Sequence, residues 1–185
     1  MEFLEANIFN SASQNDKQII LVSFGTMITS QHLTDIQIYN LVENFSQFNY
    51  LFIWAIEDVN YKINNILDEV NNIFIFNRVN QKAILAHSLT ILFISHCGIN
   101  SSIEAVKYGK PLLCVPFIAD QFYNSQALVS REVAGIVDKD DNFENLEQYI
   151  SYAINLHQNM HNSSELMNDI NPVQTFLEKI AELHD

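Results

Sequence analysis

Basic side chains are scarce in this 185-residue sequence, which has nine lysines and arginines against 22 aspartates and glutamates. The formal net charge is therefore −13 at pH 7. A surface with this charge repels nucleic acids and anionic membranes, so neither is expected as a partner. An anionic ligand would also have to be held by donors placed close to it, because the overall field opposes its approach.

Long hydrophobic runs are also absent, and no stretch reaches the roughly 20 apolar residues that a membrane-spanning helix needs. The first five residues, Met1–Glu5, lack the basic segment that begins a secretory signal peptide. We therefore expect no membrane segment in this chain, and we expect it to be soluble as given. The sequence alone does not name its compartment.

Cysteine occurs only twice, at Cys97 and Cys114, each near the end of a predicted strand. Neither cysteine has the spacing of a metal-ligand pair. Buried reduced thiols are the expected state of such residues. A disulfide between the two remains the alternative.

Glycine and proline are few as well, four and three residues respectively, and short apolar runs alternate with longer amphipathic segments. This alternation predicts an α/β domain of Rossmann type, with three layers, a parallel sheet and right-handed crossovers. The predicted strands are Ile19–Phe24, Tyr50–Ile56, Ile73–Phe76, Leu89–Ile94, Leu112–Val115 and Ile136–Val137. The predicted helices are Leu33–Phe48, Gln81–Ala86, one ended by Gly109 and Pro111, Phe122–Val133, Phe143–Leu156 and Pro172–Leu183, with residues 61–70 a weak helix or loop and residues 162–169 undecided. Residues 1–18 are interpreted as an irregular linker or tail, which leaves residues 19–185 as one domain.

One stretch, Phe93–Asn124, concentrates polar residues where an α/β sheet binds ligands. A strand runs into the turn Ser95–Gly98 and then into a helix, so polar side chains lie at a strand carboxyl end and at a helix N-terminus. The unpaired N–H groups and the dipole of a helix N-terminus favour phosphate. Alternatively, Ser101 to Glu104 form an S-x-x-E capping box, which many helices carry without any ligand.

Residues of this stretch, together with a few residues upstream, form a motif of defined order and spacing. Its residues are His96-Cys97-Gly98, Asn100-Ser101, Glu104, Gly109, Pro111, Pro116, Asp120-Gln121 and Asn124, preceded by Val22–Thr26, Gln81 and His87. In this order and spacing they resemble the donor-binding signature of the UDP-dependent glycosyltransferases, over about Ile19 to Asp138. The resemblance implies the C-terminal, donor-binding half of a GT-B fold. It also implies transfer of a hexose from a UDP-sugar to an acceptor hydroxyl, with inversion.

The resemblance assigns the diphosphate to the turn and the helix start. It implies that His96 contacts the diphosphate, that Asn100 and Ser101 donate to the β-phosphate, and that Thr26 approaches from the neighbouring strand. Gly98 allows the ligand to approach the backbone closely. For each polar residue, local capping or turn formation without a ligand is the alternative.

The nucleoside is assigned to a second group of residues. Glu104 would accept hydrogen bonds from the two ribose hydroxyls, and Val79 and Gln81 belong to the same UDP-sugar site. Arg78 occupies the position where the family usually has a tryptophan that stacks on the uracil ring. A guanidinium plane can also stack on a base, so we expect Arg78 to lie over the uracil.

The transferred sugar is assigned to Asp120 and Gln121, which offer acceptors and donors to vicinal hydroxyls. No residue of this chain is assigned to catalysis, because in the family the acceptor site and the catalytic His–Asp pair belong to the N-terminal domain. The resemblance implies no cofactor other than the UDP-sugar donor, and it implies no metal.

We therefore expect a hexosyltransferase that is incomplete without an N-terminal acceptor-binding domain or a partner chain. The alternatives are a donor-binding subunit of a two-chain glycosyltransferase and a nucleotide-sugar binding protein without turnover. An unrelated flavodoxin-like domain is a further alternative, which a failure to bind any UDP compound would favour. A complete protein would be cytoplasmic, and a truncated one could derive from a membrane-anchored enzyme of the endoplasmic reticulum.

Overall fold

Six parallel strands form one sheet in a computed structural model that describes residues 2–57, 67 and 70–169. Helices pack on both faces, which confirms the predicted three-layer α/β fold. The strands are β1 Ile19–Ser23, β2 Leu51–Ala55, β3 Ile73–Phe76, β4 Thr90–Ser95, β5 Leu112–Cys114 and β6 Ala134–Ile136. The described helices are α1 Glu2–Gln14, α2 Asp35–Ser46, α3 Gln81–Ala86, α4 Ile99–Lys107, α5 Gln121–Val129, α6 Leu146–Ile154 and α7 His157–Asp169.

The order of the strands across the sheet is β3-β2-β1-β4-β5-β6. The chain proceeds outward from β1 to β3, crosses to the other side of β1, and then proceeds outward again from β4 to β6. The winding direction therefore reverses between β1 and β4. Ser23 pairs with Ser95 in the register of these two strands, so the loops that follow them start side by side. In open α/β sheets the ligand crevice lies at the carboxyl ends of the strands at this reversal.

The central strands β1, β2, β4 and β5 are largely buried on both faces, which is why they appear in the sequence as nearly continuous apolar runs. Alternate side chains of a strand point to opposite faces. Ile20 and Val22 of β1 belong to a core cluster with α2 and α6, whereas Ile19 and Leu21 belong to a second cluster with α1, α3, α4 and α7. Full burial of one such side chain stabilises the fold by about 1.5–3 kcal/mol. The strands are therefore stable, and they fix the positions at which the loops begin.

The N-terminal segment is not the irregular tail that the sequence predicted, because residues Glu2–Gln14 form α1. Ile8 and Ala12, one helical turn apart, are buried in the second core cluster. The ring of Phe9 stacks on His87 with a centroid distance of 4.0 Å. The apolar residues of α1 form only a weak amphipathic pattern, so tertiary packing stabilises this helix. The domain boundary at residue 18 remains a prediction.

The other differences concern where elements begin and end, among them β6, which spans Ala134–Ile136 rather than Ile136–Val137. Helix α2 begins after Thr34, whose hydroxyl accepts from the Gln37 N–H while the Gln37 side chain accepts from the Thr34 N–H. Residues 162–169, undecided from the sequence, belong to α7. The predicted segments 61–70 and Pro172–Leu183 lie outside the described residues, apart from two positions, 67 and 70. Within the described part of the chain, no helix is long and apolar enough to cross a bilayer.

Candidate functional site

A cavity of about 380 Å³ opens at the carboxyl ends of the strands, beside the first turn of α4. It lies at the reversal between β1 and β4. Eight of the eleven residues assigned to the UDP-sugar line it, and the other three, Glu104, Asp120 and Gln121, do not. The lining residues are Ser23, Gly25, Thr26, Ala55, Ile56, Glu57, Asn77, Arg78, Val79, Gln81, His96, Gly98, Ile99, Asn100 and Ser101.

The turn between β4 and α4 is held from three sides. The Ser95 hydroxyl accepts from the Cys97 N–H at 3.1 Å, and Asn124 Nδ2 donates to the Cys97 carbonyl at 3.2 Å. A disulfide joins Cys97 to Cys114, with the Cα atoms 5.5 Å apart. The expectation of reduced thiols is therefore wrong, and the disulfide alternative is what the structure has. The two cysteines meet because β4 and β5 are paired neighbours, with Ser95 opposite Cys114.

The first turn of α4 presents hydrogen-bond donors to the cavity. The helix begins at Ile99 with Gly98 as its N-cap, and the Ser102 N–H donates to the Gly98 carbonyl at 3.0 Å. The N–H groups of Ile99, Asn100 and Ser101 precede this bond, so they have no partner within the helix. All three residues line the cavity. The helix dipole adds to these donors, and the arrangement is suited to phosphate.

The His96 ring lies between two glycines. A Cβ atom added at Gly25 would be 2.8 Å from the ring, and one added at Gly98 would be 2.6 Å from Nε2. Burial lowers the pKa of His96, and the Ser23 backbone and the Asp120 carboxylate oppose this shift only in part. Although the Ser23 backbone is near, Nδ1 is buried and makes no hydrogen bond of ordinary geometry among the described residues. The imidazole is therefore held neutral near pH 7 in the cavity wall.

The stability of the protein should fall as the pH decreases below 6.5. Burial lowers the folded-state pKa of His96 below its ordinary value of 6.5, and burial together with Lys110 does the same for His87. Between the folded and unfolded pKa values the unfolded chain binds more protons, so the free energy of unfolding rises with pH through this window. Urea unfolding at about pH 5.5 and 7.5 should show this difference, and His96→Gln should reduce it. If the free energy of unfolding changed with pH by the same amount in wild type and in His96→Gln, the role of His96 would be contradicted.

Glu104 does not cap α4, so the capping-box alternative is wrong. Because Gly98 rather than Ser101 is the N-cap, Glu104 lies in the second turn of the helix. Its Oε2 accepts from Gln81 Nε2 at 2.7 Å, and the same amide is 3.3 Å from the Ser101 hydroxyl. Lys82 Nζ lies 3.7 Å from Oε1. The carboxylate is thus directly behind two residues of the cavity wall, and its assignment to the ribose remains a prediction.

Asp120 and Gln121 organise the loop between β5 and α5. Gln121 is 6% exposed, and its Oε1 accepts from the N–H groups of Phe117 at 2.8 Å and Ile118 at 3.0 Å. Asp120 Oδ2 accepts from Asn124 Nδ2 at 2.8 Å. Because Oε1 already serves the loop, Gln121 would meet a sugar through Nε2. The assignment of both residues to the hexose remains a prediction.

Glu57 and Arg78 form an ion pair at the mouth of the cavity. Arg78 Nε and Nη2 each lie 2.9 Å from Glu57 Oε1, and the two side chains are 70% and 34% exposed for Arg78 and Glu57 respectively. The sequence interpretation did not assign Glu57 to the site, nor Ser23 and Asn77. Each ends or closely follows a strand, so the rule that ligands meet strand carboxyl ends could have identified all three.

Comparison with known protein sequences gives consistent matches. A family model described as UDP-glucoronosyl and UDP-glucosyl transferase matches residues 4–174. An ecdysteroid UDP-glucosyltransferase of Autographa californica nuclear polyhedrosis virus is 36% identical over 120 residues, which are 64% of this chain and 23% of the viral protein. UDP-glucuronosyltransferase 3A1 of Xenopus laevis is 29% identical over 132 residues, which are 70% and 24% of the two chains. The matched part thus spans about a quarter of these curated relatives.

Solved structures share the fold. Os79 from O. sativa in complex with UDP matches with a TM-score of 0.64 and 25% identity, over 80% of this chain and 36% of that chain. UDP-glucose: anthocyanidin 3-O-glucosyltransferase in complex with UDP matches with a TM-score of 0.71 and 21% identity, over 85% and 38%. At that identity the second match supports the fold alone. In both cases the matched part is less than two fifths of the longer chain.

Proposed function

The chain belongs to the UDP-glucuronosyl and UDP-glucosyl transferase family, and from this we propose that it forms the donor-binding half of a hexosyltransferase. The enzyme would transfer a hexose from a UDP-sugar to an acceptor hydroxyl. The observation that carries the proposal is the cavity at the β1/β4 reversal, because eight of the eleven residues assigned to the UDP-sugar line it beside the first turn of α4.

The diphosphate would bind at the first turn of α4. The N–H groups of Asn100 and Ser101 supply backbone donors, and His96 and Thr26 supply side-chain donors from two neighbouring loops. Local donors are necessary because the net charge of −13 repels the ligand. Each hydrogen bond to a charged group contributes about 1.5–3 kcal/mol, so a few of them can offset this repulsion.

The nucleoside would extend from the turn towards the ends of β2 and β3. Arg78, Val79 and Gln81 line the cavity on that side. Glu104, which contacts Gln81, would accept from the ribose hydroxyls. The hexose would extend in the other direction, towards Asp120 and Gln121 at the start of α5.

The same donors would also assist the transfer step. Transfer breaks the bond between the anomeric carbon and a β-phosphate oxygen, and negative charge develops on that oxygen. Donors fixed in advance at this position stabilise the developing charge without reorganising. The base that activates the acceptor hydroxyl is not among the residues assigned here, so transfer would require a second domain or chain.

The purified chain should bind UDP and transfer no hexose. The donor signature supplies contacts for the nucleotide, whereas no group in it is assigned to activate an acceptor. Isothermal titration calorimetry with UDP measures the first property, and product formation from a UDP-sugar and a phenolic or alcohol acceptor measures the second. Transfer by the chain alone would contradict the half-enzyme proposal. Transfer only after adding a separate acceptor-binding chain would favour a two-chain enzyme, and binding without transfer under every condition would favour a nucleotide-sugar binding protein.

Glu104→Gln should weaken the binding free energy of UDP by about 1–3 kcal/mol, the range expected when hydrogen bonds to a charged group become neutral ones. Thermal stability should hardly change, because glutamine still offers an oxygen to Gln81 and the contact with the exposed Lys82 contributes little. Calorimetric titrations of UDP and inorganic pyrophosphate measure the effect, since pyrophosphate has no ribose. Equal UDP affinity in wild type and variant would remove Glu104 from the ribose site.

A further inference from the structure

The ion pair between Glu57 and Arg78 brings a carboxylate to a cavity proposed to hold a diphosphate. Among the described lining residues, Glu57 is the only acid and Arg78 the only permanent cation. A free carboxylate here would repel the ligand. An exposed ion pair also contributes little to folding stability, so stability does not explain the pair. Its geometry suggests a role in ligand binding instead.

The contacts of the pair use the edge of the guanidinium group. Nε and Nη2 of Arg78 both lie 2.9 Å from Glu57 Oε1. Hydrogen bonds of a guanidinium lie in its plane, so this contact leaves the faces of the group available. Those faces are the surfaces that stack on a planar ring.

The backbone that carries Glu57 is itself anchored. Its carbonyl accepts from the N–H of Ser30 at 3.2 Å, and Ser30 is 1% exposed. The preceding N–H, of Ile56, donates to the Phe76 carbonyl at 2.9 Å, which ties the end of β2 to the end of β3. Glu57 therefore offers a fixed attachment point to the long and exposed side chain of Arg78.

We propose that Glu57 is a positioning residue, which holds the Arg78 guanidinium as a flat platform for the nucleobase and away from the diphosphate. This rests on the proposed function, since the base is the uracil of UDP. A free arginine loses rotamer entropy when it stacks, and an arginine already paired loses less. Pairing with Glu57 also offsets the positive charge of Arg78. The guanidinium is therefore available to stack on the base and is less strongly attracted to the phosphates.

A double-mutant cycle on the full chain tests this role. Glu57→Gln should lower the affinity for UDP by about three- to tenfold. The reason is that a released Arg78 side chain must again lose rotamer entropy when it stacks on the base. Arg78→Trp should bind UDP as well as wild type or better, because an indole stacks without an anchor. In the Arg78→Trp background Glu57 has lost its partner, so Glu57→Gln should no longer weaken UDP binding and should leave it unchanged or strengthen it by removing an unpaired carboxylate. Glu147→Gln, an exposed carboxylate on α6, controls for the loss of one negative charge.

Inorganic pyrophosphate is the second probe, because it has no base. Glu57→Gln should leave pyrophosphate binding unchanged or tighten it, as the released guanidinium can then reach an anion. An equal loss of UDP affinity in both backgrounds would overturn the positioning role. So would unchanged or tighter UDP binding by the Glu57→Gln single variant. A wild-type chain that binds no UDP would instead overturn the proposed function, and this inference with it.

Discussion

Gly98→Ala is expected to remove measurable UDP binding. The new Cβ would lie 2.6 Å from His96 Nε2, a separation that real structures do not tolerate. The ring cannot retreat towards Gly25, where an added Cβ would itself lie only 2.8 Å away. The backbone at Gly98 has φ −62° and ψ 149°, which alanine adopts freely, so the effect arises from crowding in the site and not from strain. Loss of two charge-assisted hydrogen bonds to phosphate corresponds to about a hundredfold or more in affinity.

The controls for this variant separate a damaged site from a damaged fold. Gly135→Ala makes the same change in β6, where the added Cβ would meet Leu113 at 3.1 Å and Tyr152 at 3.3 Å, away from the cavity lining. We expect it to keep UDP binding. The double variant His96→Ala/Gly98→Ala removes the clash, so its melting temperature should recover while UDP binding stays weak. Wild-type affinity in Gly98→Ala would contradict the placement of the diphosphate.

Reduction of the disulfide is expected to lower the free energy of unfolding by about 3 kcal/mol. The bond closes a loop with a sequence separation of 17 residues, and loops of this size are expected to give a stabilisation of that order. Both cysteines are fully buried, so the bond links two core elements. Urea unfolding of wild type with and without a thiol reductant measures the effect. This comparison changes no other side chain, so the difference reports the loss of the covalent bond and the packing of two thiols in its place.

The double variant Cys97→Ala/Cys114→Ala provides the matched control. It should lose the stability that reduction removes, together with a further contribution from the deleted sulfur atoms, and it should not respond to reductant. If the reductant left wild-type stability unchanged, Cys97 and Cys114 would be unpaired in solution. In that case the turn before α4 would be held by the Ser95 hydroxyl and Asn124 Nδ2 alone.

The sheet could be predicted because each strand carries its own signal. Runs such as Ile19–Val22 and Leu51–Ala55 are apolar throughout, and parallel strands buried on both faces require that pattern. Helix α1 carries no comparable signal, because its place depends on contacts with residues far along the chain, among them the ring of His87. The sequence leaves the disulfide as an open alternative and does not decide it. Its two cysteines meet only through the β4/β5 register, which is a tertiary property.

The residues of the phosphate turn were identified from the sequence because they are consecutive and are followed by a helix. The sequence does not fix the first residue of α4, because both Gly98 and Ser101 can serve as an N-cap. Gly98 is the N-cap in the structure, and the choice depends on the tertiary contacts of the preceding turn. The ion pair between Glu57 and Arg78 is not indicated by the sequence, for a different reason. The two residues are 21 positions apart and follow different strands, so no local spacing indicates the pair.

The most direct test of the account is a crystal structure of this chain with UDP bound. We predict one UDP in the cavity at the β1/β4 reversal. A β-phosphate oxygen should lie about 2.7–3.2 Å from the backbone nitrogen atoms of Asn100 and Ser101. The uracil should lie on the guanidinium face of Arg78, with the ribose towards Gln81 and Glu104. A diphosphate bound away from the first turn of α4, or UDP in another cavity, would contradict the account.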